Sequence, residues 1–140
     1  MSLYLIDTSV IVDWLRDAPT RATAEFERLR ASPQQIAMTQ PVVIEVLMGA
    51  PRGTELRTQQ LLARFRHVDV DPMTDYLAAA ELYRAVRRTG DTVRSSVDCL
   101  IAAVAIRSGA VLVHRDRDFR RLATVARDLL CLDLVEESGS

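Results

Sequence analysis

Short apolar segments alternate with longer amphipathic segments along the chain, and this alternation limits the folds that it can adopt. Five of the short segments are predicted as strands, at residues 3–6, 35–39, 67–70, 110–114 and 129–135. Helical patterns separate them, and strands that alternate with helices are typical of a mainly parallel sheet with helices on both faces. The sequence therefore predicts an α/β fold with three layers, α/β/α.

Capping and helix-breaking residues set the bounds of the predicted helices. Pro51 and Gly53 follow the third helical segment, and Gly109 follows the sixth. The helical segments are predicted at residues 10–15, 20–30, 42–50, 54–65, 72–89 and 97–108, with a short one that reaches residue 125. The polar stretch at 91–96 is predicted as a loop.

The composition predicts one compact unit. The chain has 140 residues, of which 49% are hydrophobic and 26% are charged, and this length is close to that of a single domain. We expect one domain over residues 1–135 and a frayed tail over residues 136–140.

No apolar run is long enough to span a membrane and no signal segment is apparent, so a cytoplasmic location is expected. Cys99 and Cys131 are interpreted as buried small side chains rather than as a disulfide.

All 18 basic residues are arginines, because the chain contains no lysine. This absence excludes a P-loop lysine, a lysine nucleophile and Schiff-base chemistry. It also argues against a phosphatase of the haloacid-dehalogenase type and against a phospho-receiver domain, since both need a lysine. The formal net charge of -1 does not decide whether nucleic acid binds, because a nearly neutral total can hide separate basic and acidic patches.

Four acidic residues stand where the predicted fold gathers functional groups. In open parallel sheets, ligands bind in a crevice beyond the carboxyl ends of the strands. Asp7 follows the first predicted strand and Asp116 follows the fourth, so both are expected at this crevice. Glu45 is a lone charge in an apolar helical segment, and Asp98 begins a helix whose apolar residues lie on the same face. We therefore expect four carboxylates to converge.

Each of these acids also has a local explanation. Asp7 can lead a helix, Asp98 can close a capping box with a serine three residues earlier, and Glu45 can belong to a polar stripe that faces water. Asp116 and Asp118 can be turn acids that pair with neighbouring arginines. These explanations stay open for any single residue. An isolated buried carboxylate is unfavourable, however, and the four positions together favour a shared site.

A cluster of four carboxylates predicts both a cofactor and a class of substrate. Mutual repulsion raises the pKa values of such acids and destabilises the fold until a hard cation binds. Ligands that are all oxygen favour Mg²⁺ or Mn²⁺ over Zn²⁺, and the spacing of His67 and His114 does not fit a zinc site. Because Mg²⁺ often completes its shell with phosphate oxygens, a phosphate ester is the expected substrate class.

Four segments of the chain resemble the PIN-domain nucleases, and most closely the VapC-type toxins of bacterial toxin-antitoxin pairs. These segments are residues 5–10 (LIDTSV), the apolar helix around Glu45, residues 97–105 (VDCLIAAVA) and residues 113–119 (VHRDRDF). They occur in the order found in the family and extend over nearly the whole chain. The resemblance implies a PIN-like fold with a mainly parallel sheet.

The resemblance also implies roles for individual residues. The catalytic and metal-binding residues of the family correspond to Asp7, Glu45, Asp98 and Asp116, and the auxiliary residues to Thr8, Ser9 and Asp118. Asp7 and Asp98 are implied as the principal ligands of Mg²⁺ or Mn²⁺. The choice between Asp116 and Asp118 as the fourth acid stays open.

The activity implied by the resemblance is that of an endoribonuclease that hydrolyses RNA phosphodiesters and leaves a 5′ phosphate and a 3′ hydroxyl. The implied partners are RNA, a VapB-type antitoxin that covers the active-site groove, and a second copy of the chain in a homodimer. Four arginines near Asp116 are predicted to contact RNA phosphates, with a solvated helix face as the alternative: Arg115, Arg117, Arg120 and Arg121. The alternative function is a catalytically inactive PIN-like module that binds RNA or a protein.

Overall fold

The computed structural model describes residues 2–137, in which helices and strands alternate along the chain. The strands are β1 (Tyr4–Ile6), β2 (Ile36–Met38), β3 (Arg66–His67), β4 (Val111–His114) and β5 (Leu130–Asp133). The helices are α1 (Thr8–Leu15), α2 (Arg21–Leu29), α3 (Gln40–Met48), α4 (Glu55–Leu62), α5 (Pro72–Arg88), α6 (Ser96–Ser108) and α7 (Arg117–Val125). A short 3₁₀ helix (Pro33–Gln35) precedes β2.

The five strands form one parallel sheet in the order β3-β2-β1-β4-β5. β1 lies at the centre, where Leu5 pairs with Ala37 of β2 and with Leu112 of β4. Helices flank this sheet, so the predicted α/β fold with a parallel sheet is confirmed. The strand order reverses between β1 and β4, and open α/β sheets bind their ligands at such a point. β1 and β4 also end side by side, since the N–H of Asp7 donates to the Val113 carbonyl at 2.9 Å.

β3 is shorter than the strand predicted at residues 67–70, and the prediction is wrong beyond His67. The Val68 N–H still donates to the Met38 carbonyl at 2.8 Å, but β2 ends at Met38 and α3 begins at Gln40, so no strand backbone remains opposite residues 69 and 70. The side chain of Gln40 instead accepts a hydrogen bond from the Val70 N–H at 2.9 Å. A side chain therefore replaces the strand partner that the apolar pattern suggested.

α4 and β5 also end earlier than predicted, and the structure shows why. α4 ends at Leu62 rather than at residue 65, because the chain turns there and brings Phe65 against Trp14, with ring centroids 6.3 Å apart. β5 ends at Asp133 rather than at residue 135, because the Asp133 carboxylate accepts a hydrogen bond from the Val135 N–H at 2.9 Å. In both places a tertiary contact or a side chain overrides the local pattern.

The core surrounds the central strands and encloses most of α6. Leu5, Ile6 and Leu112 are fully buried, and α6 packs against α5, α7, α3 and β4. Every residue of α6 from Asp98 to Ala105 is buried except Leu100. Close packing of this kind fixes the position of a helix, so the first turn of α6 has a defined place relative to β1 and β4.

The segment after β5 is held to the domain by two acids. Glu136 accepts a hydrogen bond from the N–H of Arg21, the first residue of α2, at 2.9 Å. Glu137 accepts one from Arg120 at 2.6 Å. The rest of the predicted frayed tail, residues 138–140, lies outside the described residues.

Both cysteines are free, with Cys99 buried and Cys131 partly buried. Cys99 is therefore buried as predicted, whereas Cys131 only packs against the edge of the core and is less buried than predicted. Within residues 2–137, the helices fall short of the length and apolar character that a membrane span requires.

Candidate active site

Asp7 stands at the end of β1 and caps α1. Its Oδ2 accepts hydrogen bonds from the Ser9 N–H at 3.0 Å and from the Ser9 hydroxyl at 2.6 Å. Its Oδ1 is buried and has no hydrogen-bond partner among residues 2–137. Asp7 is only 3% exposed, and a buried acceptor without a partner is unfavourable. Capping thus explains one oxygen of Asp7 and leaves the other available to a ligand.

Glu45 extends from α3 towards the start of α1. Thr8 donates through its hydroxyl to Glu45 Oε1 at 2.7 Å, and the Glu45 side chain is half-buried. Gly49 and Arg52, the other members of the possible polar stripe, are exposed. The structure therefore directs Glu45 towards the end of β1 rather than into a stripe that faces water.

Asp98 lies in the first turn of α6 and is 7% exposed. Ser95 caps this helix by accepting a hydrogen bond from the Val97 N–H at 3.2 Å. The reciprocal bond of a capping box, from the Ser95 N–H to Asp98, does not form. Instead, single oxygens of Asp7, Glu45 and Asp98 lie within 4.8 Å of one another. Local capping therefore does not account for Asp98.

Asp116 and Asp118 approach Asp98 from the start of α7. Asp116 caps α7 by accepting a hydrogen bond from the Asp118 N–H at 2.9 Å. Single oxygens of Asp98, Asp116 and Asp118 also lie within 4.8 Å of one another. Asp98 therefore belongs to two groups of three acids, and the four predicted acids and Asp118 form one cluster at the carboxyl ends of β1 and β4.

Comparison with known proteins agrees with this geometry. Residues 4–125 match the model of the PIN domain. Ribonuclease VapC11 from Mycobacterium tuberculosis H37Rv is 44% identical over 125 residues, which cover 88% of this chain and 93% of that protein. The chain belongs to the PIN-domain family, among its VapC ribonucleases. The family resemblance seen in the sequence is thereby confirmed.

Solved structures support the fold of this PIN domain. A DNA-bound VapBC complex from Salmonella typhimurium contains a chain with a TM-score of 0.76 and 19% identity, covering 96% of this chain and 99% of that one. VapBC-5 from Mycobacterium tuberculosis, described as a member of a family of toxin-antitoxin systems, has a TM-score of 0.70 and 24% identity, covering 95% and 99%. At these identities the likeness concerns the fold alone.

Burial and mutual repulsion raise the pKa values of two acids in this PIN domain. Burial, reinforced by the charges of Asp7, Asp116 and other neighbours, raises the pKa of Asp98 to about 8. Burial also raises the pKa of Asp7 to about 6, although the hydrogen bonds from Ser9 oppose this change. Neighbouring acids with raised pKa values favour a bound proton or a bound cation. Because every ligand atom here is a carboxylate oxygen, the cluster fits Mg²⁺ or Mn²⁺.

The four arginines predicted to contact RNA are each paired with an acid of the chain. The pairs are Arg115–Asp13, Arg117–Glu137, Arg120–Asp133, Arg120–Glu137, Arg121–Asp118 and Arg121–Asp91. Arg121 alone among the four contacts a member of the acidic cluster. Exposed pairs are weak and can exchange for a phosphate, so RNA contact by these side chains stays a prediction.

Two residues at the cluster were not assigned to it by any sequence pattern. Arg94, in the loop between α5 and α6, has its guanidinium 3.6 Å from Asp116 and 3.4 Å from Asp118. His114 is buried, and its Nδ1 accepts a hydrogen bond from the Asp116 N–H at 3.1 Å. Burial lowers the pKa of His114, in keeping with a neutral ring that accepts this bond. The sequence gives one signal for each residue: Arg94 is close to Asp98 along the chain, and His114 is close to Asp116.

Proposed function

We propose that this protein is the toxin of a toxin-antitoxin pair and acts as an endoribonuclease that depends on Mg²⁺ or Mn²⁺. The observations that carry this proposal are the convergence of the Asp7, Glu45 and Asp98 carboxylates and the buried Oδ1 of Asp7, which has no hydrogen-bond partner within residues 2–137. Two similar proteins support the proposal. VapC11 is named a ribonuclease, and VapBC-5 is described as a member of a family of toxin-antitoxin systems. RNA is the proposed substrate and the cytoplasm the proposed place of action.

In the proposed site, Asp7 and Asp98 are the principal ligands of the cation, and Glu45 and Asp116 complete the set. A bound Mg²⁺ or Mn²⁺ acidifies a water molecule and stabilises negative charge on the phosphate. The chain itself supplies the orientation of the ligands. Ser9 holds Oδ2 of Asp7 through two hydrogen bonds, which fixes the orientation of the carboxylate and leaves Oδ1 free to bind a cation.

Asp116 is the better candidate for the fourth acid, and Asp118 is the better candidate for a supporting role. Both oxygens of Asp118 are already engaged, Oδ1 by Arg121 and Oδ2 by the N–H of Arg94. Asp118 is also 1% exposed, whereas the Asp116 side chain is 29% exposed. Asp116 uses Oδ1 to cap α7, so its Oδ2 is available for a cation or for a water bound to it.

A VapB-type antitoxin that covers the acidic cluster is proposed to extend into a groove between α1 and α4, which is lined by none of the five acids. The volume of the groove is about 440 Å³, and apolar residues such as Leu15 and Leu61 line it. Arg16, Arg57 and Arg64 also line it, and none of the three forms an ion pair within residues 2–137. A segment with apolar side chains flanked by acidic ones would complement this groove.

Exposed apolar side chains on α3 and α5 support the proposed homodimer. Met48 and Ile44 of α3 are 79% and 57% exposed, and Leu77 and Tyr76 of α5 are 72% and 57% exposed. Apolar surface of this extent favours contact with another protein surface. A second copy of the chain is the proposed occupant, and sedimentation equilibrium of the isolated protein tests it.

Thr8→Val is expected to reduce RNA cleavage about tenfold, equal to about 1.4 kcal/mol in the barrier. The substitution preserves the shape of the side chain but removes the hydroxyl that holds Glu45 Oε1. Glu45 then loses its fixed position beside Asp7 and Asp98. Cleavage rates at saturating Mn²⁺ measure the effect, and Thr8→Ser, which keeps the hydroxyl, should remain close to the parent protein.

The proposed function is tested by metal titration and by RNA cleavage with the same preparation. At a concentration about tenfold above Kd, Mg²⁺ or Mn²⁺ is expected to raise Tm by about 4 °C, because the cation binds only the folded cluster. Incubation with single-stranded RNA should give products with a 5′ phosphate and a 3′ hydroxyl, and EDTA should stop the reaction. Absence of both stabilisation and cleavage would favour an inactive PIN-like binding module.

A further inference from the structure

Arg94 places a positive charge beside the acidic cluster without being buried in it. Its backbone N–H donates to Asp118 Oδ2 at 3.1 Å, which anchors the loop between α5 and α6 at the start of α7. Its Nη2 lies 3.6 Å from Asp116 Oδ1 and its Nε lies 3.4 Å from Asp118 Oδ2. The Arg94 side chain is nevertheless 76% exposed. The residue is therefore fixed at its backbone and largely surrounded by solvent at its guanidinium.

The guanidinium of Arg94 can leave the cluster at little cost. Its two contacts are at the long end of the range for ion pairs, and exposed pairs of this kind contribute little to stability. Asp118 is buried, but it keeps the Arg121 guanidinium at 2.6 Å and the Arg94 N–H at 3.1 Å. Asp116 is partly exposed to water. Neither Asp116 nor Asp118 is therefore left buried without a partner when the Arg94 side chain turns outward.

Arg94 contacts one carboxylate that is proposed to face a divalent cation, that of Asp116, and one in a supporting role, that of Asp118. A guanidinium and a divalent cation repel each other strongly at such short distances. Binding of the cation at Asp98 and Asp116 therefore disfavours the inward position of the Arg94 side chain. A guanidinium at the rim of a metal site is also well suited to bind a phosphate through two parallel hydrogen bonds.

We propose that Arg94 is a phosphate-binding residue that exchanges partners, pairing with Asp116 and Asp118 in the metal-free protein and with an RNA phosphate in the metal-loaded one. This inference rests on the proposed nuclease function and adds the residue that holds the substrate. Arg94 also differs from Arg115, Arg117 and Arg120, which pair with acids outside the cluster.

The exchange predicts opposite effects of one substitution on two ligands. Arg94→Ala removes a cation that competes for the carboxylates, so the Kd for Mn²⁺ in the absence of RNA should fall about fivefold. The same change removes a phosphate contact, so the KM for single-stranded RNA at saturating Mn²⁺ should rise about tenfold, while kcat changes less than about twofold. If Arg94 had only a structural role, its replacement would weaken the binding of Mn²⁺ and of RNA together.

Three variants and the parent protein suffice for the test. Arg94→Lys keeps the charge but not the two-pronged geometry, so its Kd for Mn²⁺ should match the parent and its KM should lie between the parent and Arg94→Ala. Arg28→Ala is the matched control, because Arg28 is 65% exposed and pairs with Glu25 within α2; neither constant should change. Manganese titration by calorimetry and initial rates of RNA cleavage provide the values.

The outcomes separate this inference from the function on which it rests. An Arg94→Ala protein whose two constants stay at the parent values, or both become weaker, would overturn the exchange even if the parent cleaves RNA. A parent protein that binds Mn²⁺ but does not cleave RNA would overturn the nuclease function and leave no substrate for Arg94 to hold. Tighter Mn²⁺ binding together with a higher KM supports the exchange.

Discussion

Asp98→Asn is expected to reduce RNA cleavage at least about a thousandfold, because the cluster would lose a charged ligand of the proposed cation. Asp98 is the one acid shared by the two groups of carboxylates found in the described part of the chain, Asp7–Glu45–Asp98 and Asp98–Asp116–Asp118. Asparagine has nearly the same shape, so the packing of α6 should remain. The loss should therefore appear in catalysis and not in folding.

The measurement is a single-turnover cleavage rate on single-stranded RNA at saturating Mg²⁺, combined with circular dichroism of each protein. Asp128→Asn is the matched control, since Asp128 is exposed in the turn before β5, at the opposite end of the sheet. It should cleave RNA at the parent rate. If folded Asp98→Asn protein retained more than about a tenth of the parent rate, Asp98 could not be a principal metal ligand.

The fold could be predicted because its determinants are local. The apolar segments of β1 and β4 are bounded by polar residues, and their burial on both faces is typical of a parallel sheet. The end of β3 could not be predicted, since it depends on Gln40, which lies 30 residues from Val70 in the chain and accepts its N–H. The length of a strand depends on its neighbours in space, and a single segment does not contain that information.

The acids of the site could be predicted because strand ends and helix starts are visible in the sequence. Asp7 and Asp116 follow strands that lie side by side, so their meeting is a consequence of the fold. The acids with which the arginines form ion pairs could not be predicted from the sequence. Arg115 pairs with Asp13 across 102 residues and Arg120 with Asp133 across 13, and long side chains select such partners only once the fold has formed.

The position of Arg94 beside the cluster could not be predicted from the sequence either. Nothing in the polar loop at 91–96 distinguishes it from other exposed arginines, and its contact with Asp118 spans 24 residues. The Ser95 cap fixes the start of α6. Arg94 directly precedes Ser95, so the cap places Arg94 against the start of α7. The neighbouring cap thus explains the position of Arg94, but this explanation requires knowledge of how α6 and α7 pack together.

The raised pKa values predict that, without metal, the contribution of Asp98 and Asp7 to the stability of the protein falls as the pH rises. The pKa of Asp98 is about 8 in the folded protein, against an ordinary value near 4 in the unfolded chain. Between these values the folded state holds a proton that the unfolded state has released. The contribution of Asp98 to the free energy of unfolding must then fall with increasing pH. Asp7, with a pKa of about 6, adds to the fall between about pH 4 and 6.

Asp98→Asn removes the Asp98 part of this dependence, because asparagine does not titrate. In EDTA, the free energies of unfolding of the variant and the parent should be similar near pH 4 and should diverge in favour of the variant as the pH rises to 8. The difference above pH 8 should reach on the order of 3 kcal/mol, less than the full pKa change would give because water relaxes around the charge. Urea denaturation at pH 5, 7 and 9 measures it.

Divalent metal should reverse this order. Millimolar Mg²⁺ stabilises the parent by binding its ionised carboxylates, and the Asp98→Asn protein should gain little from it. A difference that is constant from pH 5 to pH 9, or an Asp98→Asn protein that is the less stable of the two at pH 9 in EDTA, would mean that the pKa of Asp98 is not raised. Asp98 would then lack the burial and the mutual repulsion that favour a bound cation, and the proposed metal site would fail.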